Sequence, residues 1–409
     1  MLPDAPGLPV ILQVPNESGN DLLPGAIWYE DALAASSGAK PPVEWSGDDL
    51  YLLYTGGTTG LPKGVMWRNV DALYECFGGS PAAETVDQFV AEANTGLKAL
   101  PVPPFMHGAA HWVAFRVWLG GGTVFVQDRP EHLDPADIWS VVDREKLNFL
   151  LIVGDAFARP LLDELARRPS ELSGLTVILS GGAALSAPLK EELLRHLPTT
   201  MVVDGLGSSE TGGQASHVSA GNEASTGTFH VAPGNTVLSA DLDRVLDPGD
   251  EEIGWLAKTG RLALGYLGDE LKTADTYPVV DGVRYAIPGD RARRIDTDVI
   301  ELYGRDSATI NTGGEKVFAE EVERAVKSHP AVYDCVVSGR PSERWGSEVV
   351  AVVCLTEEWP ATDDELLAAA AEHIARYKLP KAVVRVDEIV RSPSGKADYR
   401  WARNVVRAH

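Results

Sequence analysis

Cysteine is scarce in this chain, with three among 409 residues. Cys76, Cys335 and Cys354 are far apart, odd in number and without metal-ligand spacing. That excludes a disulfide scaffold or a zinc site and leaves thiols buried in a reducing compartment. Positive charge is also in deficit: 36 basic residues face 59 acidic ones, for a net charge of −23. A chain this acidic is a poor ligand for nucleic acid or for an anionic membrane surface. No apolar run approaches the roughly 20 residues of a membrane helix, so no integral membrane segment is expected. Near the N-terminus Asp4, Glu17, Asp21 and several prolines replace the basic-then-apolar pattern of a signal peptide. The expectation is a cytoplasmic protein without internal repeats or low-complexity tracts.

The length and the 44% hydrophobic content suit a globular chain of two or more domains. Apolar runs alternate with amphipathic stretches from about Tyr51 to Tyr303: strand-like 122–127, 148–154 and 175–182, helical 155–168 and 187–197. This spacing predicts a parallel sheet with crossover helices. Between Gly227 and Asp298 short segments broken by Gly, Pro and Asp predict a small antiparallel β subdomain. Beyond Gly304 helical 319–329, two Val-rich strands and helical 363–377 predict a small α+β C-terminal domain. The expected fold class is α/β, with domains at 1–304 and 305–409.

The run Tyr54–Val65, YTGGTTGLPKGV, gathers glycines, threonines and one lysine after an apolar strand. Taken alone it is a flexible turn; as chemistry it is a phosphate cradle of backbone N–H groups, hydroxyls and one cation. It is neither the nucleotide P-loop, because Lys63 follows Pro62 and precedes Gly64, nor a dinucleotide fingerprint. Three further loops stand where open α/β sheets bind ligands, at the ends of strands. They are LSGGAAL (179–185), DGLGSSETGG (204–213) with the carboxylate Glu210, and YAIPGD (285–290).

These segments, taken in order, resemble the adenylate-forming superfamily of acyl-CoA synthetases, luciferases and peptide-synthetase adenylation domains. Tyr54–Val65 is similar to its phosphate loop and Ser180–Leu185 to its adenine-side turn. Leu206–Glu210 is similar to its aromatic-Gly-x-Thr-Glu element, and Gly289–Asp290 to its ribose element. GRDSATINTGGEKVFAEEVE (304–323) resembles the hinge, and SPSGKADYR (392–400) the segment carrying a catalytic lysine. The resemblance runs from about Trp45 to the last residue. Its wording is nearest to the fatty acyl-CoA synthetases that include enzymes for sterol side-chain acids.

The resemblance implies a reaction in which ATP activates a carboxylic acid to acyl-AMP with release of pyrophosphate, after which CoA takes the acyl group. It implies ATP and CoA as substrates and Mg²⁺ as cofactor. Thr55, Gly56, Gly57, Thr58, Thr59, Gly60 and Lys63 would hold the outer phosphates, Glu210 would hold Mg²⁺, and Lys396 would bridge the acid and the α-phosphate. Gly182, Ala183, Leu206, Gly207, Ser208 and Ser209 would line the adenosine side, with Asp290 and Arg305 on the ribose. The Gly313–Gly314 loop would line the pantetheine tunnel. His107 is a candidate gate or a core histidine, and Gly108, Ala109, Ala110, Gly181 and Gly182 would leave room for a bulky acyl group.

The sequence departs from the family pattern in three places. Leu206 stands where an aromatic usually stacks on adenine, and Ser307 where the hinge usually has Asp or Lys. Only 53 residues precede Tyr54, where the family generally has a whole α/β subdomain; its absence would expose apolar surface to a homodimer or a separately encoded partner. A non-catalytic adenylate-binding or partner subunit, and an acyl-AMP ligase serving a carrier protein, stand as alternatives.

Overall fold

The computed structural model describes residues 10–15, 19–55, 62–79, 85–93, 95–169, 172–221, 224–356, 359–392 and 394–409. The chain forms two compact units, 1–46 and 47–409. In the first, strands Ile11–Gln13 and Ala26–Trp28 pair in parallel ahead of helix Tyr29–Ala35.

The second unit opens with a hairpin, β1 (Leu50–Tyr54) and β2 (Gly64–Arg68), closed where the Thr55 N–H donates to the Lys63 carbonyl. The chain then alternates: β3 (Lys98–Pro101), α1 (Gly108–Leu119), β4 (Thr123–Val124), α2 (Pro135–Glu145), β5 (Phe149–Ile152), α3 (Gly154–Arg167), β6 (Val177–Gly181), α4 (Ala187–His196) and β7 (Met201–Ser208). Strands β5 and β6 are apolar on both faces because helices cover both, and α3 buries Phe157, Ala158, Leu161, Leu162 and Leu165 at helical spacing. The strand expected over 122–127 contracts to Thr123–Val124 at the sheet edge, where it has only β3 to pair with.

The antiparallel strands do not stand apart as a separate body. β8 (Gly212–Ser219) turns back on β7, and β9 (Thr228–Val231), β10 (Asn235–Leu238), β11 (Gly254–Lys258), β13 (Asp290–Arg294) and β14 (Val299–Arg305) continue the same sheet. The order across its eleven strands is β10-β11-β13-β14-β9-β8-β7-β6-β5-β3-β4. The two-residue strand β12 (Gly265–Tyr266) pairs with β2 of the hairpin instead.

After β14 comes the hairpin β15 (Thr309–Thr312) and β16 (Glu315–Phe318), then α5 (Ala319–Val326), β17 (Val332–Ser342), β18 (Gly346–Leu355), α6 (Asp363–Ala371), β19 (Ala382–Arg385) and α7 (Tyr399–Ala408). Helix α5 buries Val322, Ala325 and Val326 against Val337, Val349 and Ala351 in a core separate from that of the large sheet. Helix α6 starts at a capping box between Thr362 and Glu365. It ends at Ala371, short of the expected 377, where a turn carries Ile374 into the core. Among the described residues no helix is long and apolar enough to cross a membrane.

One buried cation ties β11 to the turn between β7 and β8 and to the end of helix Asn69–Glu75, which follows the hairpin. Lys258 Nζ pairs with Glu75 and donates to the carbonyls of Thr211 and Gly213, beside the loop that carries Glu210. Lys258→Ala would leave one carboxylate and two carbonyls without their donor. A loss of about 3 kcal/mol in urea-unfolding free energy is expected; a loss below about 1 kcal/mol would show that the cation is dispensable.

Candidate active site

At the carboxyl ends of β3, β6 and β7 loops carry His107, Gly182 and Glu210, and at the end of β5 the first turn of α3 carries Asp155. That is where an open α/β sheet leaves a crevice for ligands. Across the adjoining antiparallel strands Asp290 faces Arg305, with Arg305 Nε 2.9 Å from Asp290 Oδ1. Arg305 also donates to the Pro288 carbonyl and, through its N–H, to Glu320. Asp290 and neighbouring anions favour the guanidinium charge and raise its pKa against the effect of burial.

Lys396 reaches this crevice from the other side. It sits on a turn held by Ser392, whose Oγ accepts the Lys396 N–H at 3.2 Å, while the Gly395 N–H donates to the Ser392 carbonyl. Gly395 has φ +77°, and a Cβ there would lie 2.8 Å from the Phe157 ring, so only glycine lets the turn seat against α3. Burial, and then the charge of Arg305, lower the Lys396 pKa, against Glu210 and Asp290, which raise it. A partly desolvated ammonium thus stands beside a guanidinium and is faced by two carboxylates.

Gly182 lies between Lys396 and His107. A Cβ on it would stand 3.6 Å from both Lys396 Cε and His107 Cε1. His107 Nδ1 is buried and takes no hydrogen bond from the described residues. Burial, then the Lys396 and His111 charges, push the imidazole down to about 4. At Gly181 a Cβ would meet only the Gly205 carbonyl, at 3.5 Å, which leaves space on that side. The expectation that Gly108 and Ala110 add room fails: Ala110 is wholly buried with Ala99, Val113 and Leu151, and Gly108 is packed against Leu53 and Trp112.

Glu210 is held by Tyr266, whose hydroxyl donates to its Oε1 at 2.8 Å, and by Tyr277, whose hydroxyl reaches its carbonyl. Burial and the Glu210 charge keep the Tyr266 phenol protonated, well above its ordinary pKa. Ser208 Oγ accepts the Glu210 N–H and Trp67 Nε1 donates to the Ser209 carbonyl, so the loop is fixed from within and from the hairpin. Lys63 pairs with Asp269 at 2.9 Å and lies 5.4 Å from the Tyr266 ring centroid. Gly56, Gly57, Thr58, Thr59 and Gly60 lie outside the described residues.

Leu206 pairs with Ala215 and packs on an apolar cluster with Val237 and Ile300, while Gly207 is exposed opposite Gly213. Ala183 packs on the core of the large sheet. Gly313 and Gly314 form the tip of the β15–β16 hairpin, and the Gly313 N–H donates to the Trp345 carbonyl within the C-terminal segment. The structure thus brings Lys396, Gly182, His107, Arg305, Asp290 and Glu210 together and keeps the glycine tip with its own segment. Asp269, Tyr266 and Tyr277 went unread in the sequence; the one signal was their place in a hydrogen-bonding run, 264–277, that no motif covered.

The AMP-binding enzyme family matches residues 4–267 and its C-terminal domain matches residues 321–396. The chain belongs to the AMP-binding enzyme family. It is 51% identical over 410 residues to the medium-chain acyl-CoA ligase Mig of Mycobacterium avium, spanning 98% of this chain and 74% of that protein. It is 42% identical over 423 residues to the 3-oxocholest-4-en-26-oate–CoA ligase of Rhodococcus rhodochrous, spanning 99% and 75%. Among solved structures it is similar to ATP-bound MatB of Rhodopseudomonas palustris, with TM-score 0.73 and 25% identity over 92% of this chain and 72% of that one. The anthranilate CoA ligase AuaEII with anthranoyl-AMP shares the fold of this AMP-binding enzyme, with TM-score 0.78 at 20% identity over 94% and 73%.

Gly182→Ala strains a backbone with φ +90° and fills the gap between His107 and Lys396. Stability should fall by about 1 kcal/mol, while the rate of acid activation falls by roughly tenfold or more; equal wild-type rates would remove Gly182 from the site. His107, at about 4, is neutral at physiological pH because it loses its proton well below that range. His107→Gln should therefore change the rate without moving the acid limb of the pH–rate profile. A shift of that limb would assign the titration to His107.

Proposed function

We propose that the chain is an acyl-CoA synthetase that activates a fatty or sterol side-chain acid with ATP and then transfers the acyl group to CoA. The observation that carries this reading is the approach of Lys396 to the Gly182 loop at the mouth of the parallel strands, with Arg305, Glu210 and Asp290 acting on its charge. Attack of a carboxylate on the α-phosphorus brings two anions together, and the barrier falls when fixed cations and donors meet the developing charge. Lys396 lies on a turn of the C-terminal segment that reaches the Gly182 loop, so it would stabilise the pentavalent phosphorus and hold the acid oxygen in line. Asp290 and Arg305 offer an acceptor and a donor fork for the ribose hydroxyls. Neutral His107 and the open side at Gly181 would face the acyl group.

Mg²⁺ fits Glu210 only as a shared ligand set. Among the described residues no cluster of three His, Cys, Asp or Glu could hold a metal alone, which suits an ion that completes its shell with water and phosphate oxygens. When bound it would neutralise phosphate charge, with Glu210 as the protein's contribution. Tyr266 aims that carboxylate, and Lys63 and Thr55 would cradle the outer phosphates.

We also propose that residues 305–409 act as a lid that pivots after Arg305. The lid would carry Lys396 away once the adenylate forms and bring the Gly313–Gly314 tip to the pantetheine. The hydrogen bond from the Gly313 N–H to the Trp345 carbonyl would then be a feature of the adenylate-forming stage. This division also accounts for the separate core of the segment.

The test is incubation of the chain with ATP, Mg²⁺ and a pool of fatty, aryl and sterol side-chain acids, with and without CoA, followed by mass spectrometry. An acyl-CoA of a fatty or sterol side-chain acid is expected, with adenylate formation down by roughly 100-fold or more in Lys396→Ala. ATP binding with neither adenylate nor thioester would overturn the reading and leave a non-catalytic subunit.

A further inference from the structure

We propose that Asp155 and Lys327 are positioning residues for the adenylation step, joining the Gly182 loop to the Lys396 turn through one buried ion-pair chain. The inference rests on the reading in which Lys396 serves adenylate formation.

The chain of contacts runs through four alternating charges. Asp155, at the start of α3, takes the Ser186 N–H on Oδ1 at 2.7 Å, and its own N–H donates to the Ala184 carbonyl. Both contacts fasten the segment just after Gly182. Its other oxygen, Oδ2, lies 3.2 Å from Lys327 Nζ, at the end of α5. Lys327 is 3.0 Å from Asp334 Oδ1, and Arg391 grips Asp334 with both Nε and Nη2, at 2.8 and 2.7 Å. The remaining Arg391 nitrogen, Nη1, donates to the carbonyl of Gly395 at 3.1 Å, one residue before Lys396. One end of the chain therefore holds a loop of the large sheet and the other holds the lysine turn.

The same helix face makes two more contacts with the C-terminal segment. Arg159 lies 5.7 Å from the Tyr333 ring centroid, and the Tyr333 hydroxyl donates to Asp163 at 3.3 Å. Asp155, Arg159 and Asp163 stand at i, i+4 and i+8, so they form one stripe along α3 opposite its apolar face. Two cations and two anions close the buried chain at zero net charge. A buried ion-pair network usually contributes little stability, because desolvation offsets the attraction; its best-attested use is to fix register. Here the register it fixes is that of Lys396 against Gly182.

The test compares the two half-reactions in the full chain. Asp155→Asn keeps an oxygen for the Ser186 N–H and deletes the charge facing Lys327. ATP–pyrophosphate exchange with a fatty acid should fall by roughly 100-fold through kcat, since an ångström of misplacement costs that much. Thioester formation from synthetic acyl-adenylate and CoA should stay within about twofold. Lys327→Gln, purified and assayed the same way, gives a second route if the first variant does not fold. The double variant should lose no more than the worse single one, as expected of partners in one contact. Unchanged exchange in both variants, or equal losses in both half-reactions, would overturn the assignment. If instead Lys396→Ala retains full exchange, it is the reading of Lys396 that fails, whatever Asp155→Asn does.

Discussion

The structure depends on one electrostatic constraint, which is to hold a lysine and an arginine close together without letting water or each other disperse them. Lys396 and Arg305 repel, and burial penalises the lysine charge further. Glu210 and Asp290 offset part of this, and Asp290 is committed to Arg305 by direct contact. The net result is a balanced set of two cations and two carboxylates in which the charged form of Lys396 is held at a cost set first by burial. On the proposed reading, a carboxylate and a phosphate drawn to Lys396 would relieve the cost of burying its charge.

That constraint explains why so much of the polar apparatus lies outside the crevice. The Glu210 loop is tied from behind by Trp67, Tyr266 and Tyr277. Lys258, buried beneath it, neutralises Glu75 and closes the neighbouring carbonyls. Lys63 and Asp269 pair on the hairpin side, which keeps the Lys63 ammonium near the Tyr266 ring. Each of these contacts joins segments remote in sequence, which is how a sheet made of local strands acquires a rigid edge.

The sequence made the alternation of strands and helices from Lys98 to Ser208 readable, because buried parallel strands are continuous apolar runs and their helices carry a 3.6-residue apolar stripe. The loops were readable for a different reason: Gly, Ser and Thr gather at strand ends only where backbone must approach something closely. What could not be read was the sheet's continuity from β7 into β8 and beyond, since a hairpin turn and a break between bodies leave the same Gly-rich signature. The reach of Ala110 was hidden too, because a small residue in a helix next to an open site looks identical to one packed in the core. Nor could the partners of Asp155 be found. Its stripe with Arg159 and Asp163 was present in the helical pattern, but charges at that spacing are ordinarily solvated, and Lys327 lies far along the chain.

The two kinds of contact around Lys396 divide the work by distance. Close to the lysine, glycines at 182 and 395 remove side chains so that backbone and ammonium can approach. Farther out, Arg391, Asp334, Lys327 and Asp155 supply directional bonds whose geometry a change of a few tenths of an ångström would break. Glycines alone would leave the turn free to wander, because the residue that permits an unusual conformation also loses the most entropy in adopting it. Ion pairs alone could not bring the ammonium into contact range, because their side chains need room. On the proposed reading, a lysine present for one step and withdrawn for the next needs both. It also needs a holding force made of few, separable bonds rather than a wide apolar seam. Paired charges meet that need: parted, they regain hydration, whereas a parted apolar interface would meet water at a cost proportional to its area.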